Sequence, residues 1–546
     1  MENVNVIRDT RIQEMENYLY PYQRECIEST DKSNRGIVSL PTGTGKTMVQ
    51  AFLIAMDIIK NPGFGMYVIN APRIMLSYQL LKEVYTNLIK YGVDARYMAV
   101  HSGGGVDNQD ISEVYNDSKL NYAQIDSTTS PNVIKDFILS VKDQNLPLIF
   151  LSTYNSAERI SDACKRIESC ENIRVICNDE AHYLVQEQFH DILSILKSDR
   201  CYFFTATTIY HPSEKGRGMN NVSCYGEVIY KMSPLEAIRL GKMVRPRVHY
   251  VVNKDNKYIN NGQYTSSSDF IRENIGVLVK ETFMQHTHAL DGLSPKMLIS
   301  VDGTETMVNF LKSKECLELR RKGVKIFAVS SNDEVGNITP NCPNPSDRAS
   351  RQQFLEELKE AGKDTNVRLI VFHYDILAEG IDVPGLTGVL PLRSLAKSKF
   401  LQTFGRVARL DVTDRQNIAD KVIDPENFVA SEYNKPYAWI IVPSIVSDHD
   451  DNKSHFYGLI RELRSENFNI SELIVVTSDG GNGISKKEGP EALNQLDTSG
   501  NTTIGEKIDE IEARYEEERI AAIMDEEAAR LAALSDDDWF NEVVNG

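Results

Sequence analysis

The segment Leu40-Pro-Thr-Gly-Thr-Gly-Lys-Thr47 follows a short β-branched run and leads into an apolar helical pattern from Met48 to Ile59. Such a loop can wrap phosphate. Gly43 and Gly45, with Thr42 and Thr44 between and before them, let backbone N–H groups approach an anion at a helix N-terminus; Lys46 can reach β/γ oxygens, and the Thr47 hydroxyl can ligate Mg²⁺. Leu40 stands where the general pattern has glycine, and a glycine-rich turn before a helix is the plainer reading of the same residues. Asp179-Glu180-Ala181-His182 closes a second apolar run, 173–178. This puts two carboxylates at the C-terminal edge of a strand, where open α/β sheets bind ligands. Asp179 would hold Mg²⁺ through its water shell, Glu180 would polarise a water attacking a γ-phosphate, and His182 completes the candidate catalytic set. Four such residues also fit a solvated strand end; the phosphate loop in the same chain favours the chemical reading.

Leu40 to Thr47, Asp179 to His182, Thr205-Ala-Thr207 and Gln402-Thr-Phe-Gly-Arg-Val-Ala-Arg409 resemble, in chain order, the motifs of superfamily 2 helicases. The resemblance covers about 20 to 445. It is similar in finer detail, at Ser127 to Pro131, Phe150 to Ser156 and Met219 to Asn221, to DEAD/DEAH-type helicases related to restriction-enzyme motor subunits, with phage branch-migration helicases among the DNA-directed relatives. The resemblance implies ATP and Mg²⁺ as cofactors. It makes Tyr20-Pro-Tyr-Gln23 an adenine-reading motif through the Gln23 amide, although a proline opening a helix also explains that run. It implies that Gly380 and Asp382, in Glu379-Gly-Ile-Asp-Val-Pro384, contact the ATP ribose, and that Gln402, Arg406 and Arg409 reach the γ-phosphate from a second lobe. Arg73, Thr153, Tyr154, Thr205 and Thr207 would touch a nucleic-acid strand. His373 and Tyr374 stand where the family often has a hydroxyl residue. No nuclease constellation of paired acids and a lysine is visible.

The elements that must hold these residues follow from apolar patterning. Runs at 36–40, 66–71, 148–152, 173–178 and 201–205, too apolar for half-solvated strands, predict one parallel sheet; those at 297–301, 324–329, 367–372, 388–392 and 438–443 predict another. The fold class expected is α/β: two tandem RecA-like doubly wound lobes, joined near 232–245, with a mainly helical C-terminal extension. The expected divisions are 1–235 and 236–445 for the lobes, 446–504 for a linker or small accessory region, and 505–546 for an acidic helical tail. Segments 102–131 and 330–350 predict loops or insertions.

The composition fits a soluble multidomain protein: 546 residues, 41% apolar and 25% charged. No stretch approaches the roughly 18 apolar residues of a membrane span, and the first twenty lack a signal sequence's apolar core, so a cytoplasmic protein is expected. The eight cysteines show no CxxC pair, predicting reduced thiols. A net charge of −18 argues against a polyanion as partner until its distribution is read, for the last 42 residues carry fourteen acids against four bases. The acidic tail thus leaves the body nearly balanced. Its apolar positions Ile508, Ile511, Tyr515, Ile520, Ile523 and Met524, and the run Asp536 to Phe540, fit an idle charged helix, a docking segment for a protein partner, or a mimic of nucleic acid. The expected function is an ATP-dependent DNA helicase or translocase, DNA being favoured over RNA. The alternatives are an RNA helicase and an ATP-gated binding subunit of a defence or repair complex.

Overall fold

The computed structural model describes residues 2–102, 127–252 other than 212 and 214, 267–330, 335–344, 349–373, 383–393 and 403–443, then Ile474–Gly480, Gly483–Glu488 and isolated positions as far as 524. The chain opens with α1 (Glu2–Tyr18) and α2 (Pro21–Asp31), followed by β1 (Arg35–Ser39), α3 (Lys46–Lys60), β2 (Gly65–Ala71), α4 (Ile74–Lys90), β3 (Arg96–Val100), β4 (Pro147–Thr153), β5 (Ile173–Asp179), β6 (Ser198–Thr205) and β7 (Glu227–Lys231). The strands form a seven-stranded sheet ordered β3-β4-β2-β5-β6-β1-β7, parallel at every pairing.

Alternation within each strand divides its side chains between two cores. Tyr67 and Ile69 of β2 join α3 and α4 through Phe52, Leu80 and Val84, whereas Met66 and Val68 join Ile134, Ile138 and Ile160 on the opposite face. A sheet buried on both faces needs apolar residues in either register, which is why β2 and β4 are buried along their whole length.

The second sheet comprises β8 (Arg245–Val252), β9 (Lys296–Ser300), β10 (Lys325–Val329), β11 (Asn337–Ile338), β12 (Leu369–His373), β13 (Gly388–Pro391), β14 (Tyr437–Pro443), β15 (Ile474–Gly480) and β16 (Gly483–Glu488). Its order is β11-β10-β12-β9-β13-β14-β8-β15-β16, parallel except for β10/β11 and β15/β16. The two predicted α/β sheets are therefore present. Strands β3, β7 and β8, which the pattern did not predict, extend them, and β11 pairs with β10 inside the 330–350 segment expected to be a loop or insertion. β15 and β16 fall within the 446–504 region expected to be a linker or small accessory region, and lengthen the second sheet beyond β8. One buried apolar cluster continues from Val38 and Phe204 through Met232, Ile238 and Met243 to Val248, Leu298 and Val407, so the connector is packed into both lobes.

All eight cysteines are free, and Cys26, Cys177, Cys201 and Cys316 are buried. Among the described residues no helix is long and apolar enough to cross a membrane. Most of the acidic tail lies outside the described residues, including Ile508, Ile511, Tyr515, Ile523 and Asp536 to Phe540; Ile520 and Met524 are exposed.

Candidate active site

Strands β5, β6 and β1 are neighbours, so their C-terminal ends bring residues 179–182, 205–207 and 40–47 to one edge of the first sheet. The loop after β1 turns through Gly43 and Gly45, at φ 88° and 86°. Both lie in the left-handed region that glycine enters without steric cost. A Cβ on Gly45 would stand 2.5 Å from Gln23 Nε2. Lys46 and Thr47 then open α3, whose apolar surface is almost wholly buried.

Two residues from the start of α2 hold this loop. The Tyr22 hydroxyl donates to the Thr44 carbonyl at 2.6 Å and Gln23 Nε2 donates to the same oxygen at 3.2 Å. Gln23 Oε1 meanwhile accepts from the Tyr20 N–H at 3.1 Å, closing the first turn that Pro21 begins. Tyr20-Pro-Tyr-Gln23 thus starts a helix, as the proline reading expects, and couples that helix to the loop after β1.

Asp179 ends β5 buried, with its Oδ1 accepting from Gln50 Nε2 at 2.8 Å and its backbone carbonyl from the Tyr154 hydroxyl at 2.5 Å. Burial and the charge of Glu180 push its carboxyl up to about 6, against the pull of Lys46. Glu180 takes φ 50°, ψ 49°, a left-handed conformation uncommon for a residue with a Cβ and typical of functional turns. Its Oε1 lies 3.8 Å from Lys46 Nζ. Its Oε2 is buried without a hydrogen bond, 3.5 Å from His182 Nδ1.

His182 is buried, and desolvation lowers its pKa, leaving a neutral ring near pH 7. Its Nδ1 is 3.1 Å from Thr205 Oγ1. That hydroxyl donates its single proton to the Thr207 carbonyl at 2.8 Å and accepts from the Thr207 N–H at 3.1 Å. With the Thr205 proton on the Thr207 carbonyl, this geometry favours the imidazole proton on Nδ1.

The second lobe closes the cleft. Arg406 and Arg409, with Leu410 and Arg415, line a cavity of 840 Å³ together with Lys46, Thr47, Asp179 and Glu180. The approach is close: a Cβ on Gly405 would lie 2.6 Å from Thr42 Cβ, and Arg409 Cγ lies about 4.0 Å from the Cβ position of Gly43. Lys242, in the connector, sets its ammonium 3.2 Å from the centre of the Tyr20 ring. Burial, with Arg415 nearby, lowers that amine to about 8.

Residues 16–209 match the family of the type III restriction enzyme res subunit. That match spans the first lobe, including Leu40–Thr47 and Asp179–His182, the segments that resemble superfamily 2 helicase motifs. The fold of 90% of it is similar to that of the ATP-dependent type ISP restriction-modification enzyme LlaBIII bound to DNA, at 18% identity and a TM-score of 0.63. A nuclease-deletion mutant of the type ISP enzyme LlaGI with a DNA substrate mimic matches over the same share at 18% identity and 0.54. This chain spans about a third of the length of those two enzymes, 33% and 31%. No curated protein matches it in sequence. The two-lobed α/β fold and the first-lobe match to a restriction-enzyme subunit family stand together.

Within that frame the expected nucleic-acid contacts divide. Arg73 is exposed at the end of β2. Tyr154 and Thr205 are fully buried, with their hydroxyls bonded inside the lobe, and Thr153 and Thr207 are almost as enclosed, Thr153 Oγ1 donating to Ser156. Tyr154 and Thr205 tie their loops to Asp179 and His182, while Thr207 Oγ1 is buried without a hydrogen bond. Gly380, Asp382 and Gln402 lie outside the described residues. Sequence reasoning missed Gln50, Tyr22 and Lys242. Gln50 had a signal, being a polar residue inside the apolar run 48–59 on α3; the others make contacts that no local pattern encodes.

Proposed function

We propose that this chain is an ATP-driven motor of DEAH type acting on DNA, a translocase or helicase. The observation that carries the reading is the cleft in which Lys46, Asp179 and Glu180 of one lobe face Arg406 and Arg409 of the other. A site divided in this way makes hydrolysis depend on lobe closure, which is how such motors turn chemistry into movement.

In this reading Gly43 to Lys46 bind the β- and γ-phosphates and Gln23 orients the base while holding Thr44. Thr47 and Asp179 would hold Mg²⁺, which supplies charge neutralisation at the phosphates. The donor set fits a cation. Asp179 is buried and Glu180 half-buried beside Lys46, and Glu180 Oε2 is buried without a hydrogen bond. Glu180 polarises the attacking water, and His182, fixed as its Nδ1–H tautomer, steadies Glu180 against Thr205. Arg406 and Arg409 meet charge developing on the γ-phosphate. DNA is favoured because the fold similarity is to enzymes solved with DNA, and Arg73 is the side chain proposed to touch its phosphates. A motor of this kind works in the cytoplasm.

The deciding assay measures ATP turnover with single-stranded, duplex and branched DNA and with RNA at matched salt, since phosphate-dominated affinities change steeply with salt. Stimulation by DNA is expected. Stimulation by RNA alone would replace the DNA reading, and turnover without strand displacement or translocation would favour an ATP-gated binding subunit. A chain with no ATP turnover under any of these conditions overturns the proposal.

A further inference from the structure

Arg406 and Arg409 lie in and just beyond the last turn of a helix whose described residues are 403–407, where backbone carbonyls have no partner within the helix. Three successive carbonyls there are held by other segments. Lys435, just before β14, donates from Nζ to the carbonyls of Val407 at 2.5 Å and Arg409 at 2.8 Å. The carbonyl between them, of Ala408, accepts from the backbone N–H of Val244 in the connector at 2.9 Å. Lys435 is itself fixed: its N–H and that of Asn434 donate to the two carboxylate oxygens of Asp414, at 2.9 and 2.8 Å, and Asp414 is buried in the Val412–Ala419 helix.

This is a costly place for a cation. Lys435 is 6% exposed, and two arginines lie a few residues away along the segment it grips. Burial lowers its ammonium to about 7, with Asp411 and Asp414 acting in the opposite sense and Arg409 adding to the fall. An apolar side chain would fill the space without that desolvation cost. What it could not do is satisfy two carbonyls that flank Ala408 and offset the negative end of the helix.

We propose that Lys435 is the positioning residue for the arginine pair, its ammonium clamping the backbone on both sides of Ala408 so that Arg406 and Arg409 project together toward the phosphate loop. The inference rests on the proposed ATPase reading. Lys435 touches no part of the cavity; it acts through the backbone that carries the arginines. Through Val244, the same clamp ties the arginine segment to the connector whose Lys242 lies on Tyr20, so lobe closure and arginine placement share one anchor.

The test uses the full chain and compares Lys435→Met with wild type for ATP turnover, for binding of a fluorescent ADP analogue, and for thermal unfolding. The expected result is a kcat loss on the order of 10²-fold, the scale of an ångström-sized misplacement of a reacting group, with KM and analogue affinity changed less than about threefold. A loss that is only structural would lower melting temperature and affinity together. In an Arg409→Ala background, Lys435→Met should add less than about threefold, because the arginine it places is already gone. Lys435→Arg, which keeps a cation and its N–H donors, should recover at least about tenfold over methionine. If the methionine variant does not fold, Lys435→Arg and Lys435→Gln carry the same comparison. Equal losses with and without Arg409, or full kcat in Lys435→Met, overturn the proposal while leaving the ATPase reading intact. Absence of turnover in the wild type ends both.

Discussion

Thr205→Val tests whether the hydroxyl at the end of β6 links the catalytic acid turn to the loop beyond it. The change keeps shape and removes one oxygen from a side chain with no exposed surface. Three hydrogen bonds go with it: those from His182 Nδ1 and the Thr207 N–H, and that to the Thr207 carbonyl. Each buried hydrogen bond contributes about 1 kcal/mol net, and partners left unsatisfied cost about 1–3 kcal/mol each. The two bonds to Thr207 close one local turn two residues away that can readjust, so together they count for about 1 kcal/mol and the buried imidazole for about 1–3 kcal/mol. A destabilisation of about 2–4 kcal/mol follows for the first lobe. At roughly 2–4 °C per kcal/mol for a lobe of this size, melting should fall by about 4–15 °C.

The functional consequence is separable from the stability loss. With Thr205 gone, His182 Nδ1–H loses the partner that fixed its tautomer, and Glu180 loses a steady neighbour, while Lys46, Asp179 and both arginines are untouched. ATP turnover without nucleic acid should stay within about fivefold at a temperature where the variant is folded, and stimulation by nucleic acid should drop by at least about tenfold, on the scale of 1.4 kcal/mol per decade. Thr205→Ser, which restores the oxygen and loses a methyl, should recover most of the stimulation. Scanning calorimetry and paired basal and stimulated ATPase rates measure both. An unchanged melting temperature would refute the energetic account, and equal loss of basal and stimulated turnover would refute the linking role.

Lys46→Ala should abolish ATP turnover, since Lys46 is the loop cation beside Glu180; turnover near wild type would remove the phosphate site. Glu180→Gln should keep nucleotide binding and lose hydrolysis, because the amide keeps the shape without the charge that polarises water; loss of binding instead would contradict the role. Arg406→Ala and Arg409→Ala should each lower kcat by on the order of 10³ with the fold retained, and a fragment ending near 235 that turns over ATP like the full chain would defeat the divided site. In the second lobe, His249 and His286 are fully buried, Nδ1 to Nδ1 at 3.3 Å, and burial depresses both, His286 to about 3. Their folded pKa values lie below the unfolded value of 6.5, so their neutral forms favour folding above that value, and the advantage is lost as pH falls toward their folded values. From pH 6.5 to 5 His286 should cost on the order of 1–2 kcal/mol, with His249 acting in the same direction. Denaturant unfolding followed by Trp439, whose ring faces both histidines, should show this, and a flat profile over that range would exclude it.

The parts legible in the sequence were those built from contiguous residues. Leu40 to Thr47 needs only a strand, a glycine turn and a helix, and Asp179 to His182 only a strand end, so spacing along the chain carries their geometry. Strand β8 was not legible because Arg245, Pro246 and Arg247 interrupt its apolar run, and its role became clear only when β14 and β15 paired on either side. The same limit explains Tyr154 and Thr205. A hydroxyl after a strand predicts a residue at the sheet's edge, but whether it faces a bound strand or the lobe interior depends on what the neighbouring strand supplies. Here β5 supplies the Asp179 carbonyl to Tyr154, and the turn after it supplies His182 to Thr205. Both hydroxyls are consumed before any ligand arrives. Lys435 lies still further from local patterning, since nothing in Tyr433-Asn-Lys-Pro436 indicates carbonyls 26 and 28 residues earlier as its partners. Contacts of that kind are fixed by the order of strands β13, β14 and β8, which brings the end of the arginine helix, the lead-in to β14 and the connector before β8 to one edge of the sheet. The catalytic side chains are therefore readable one at a time, whereas the groups that aim them belong to the tertiary fold.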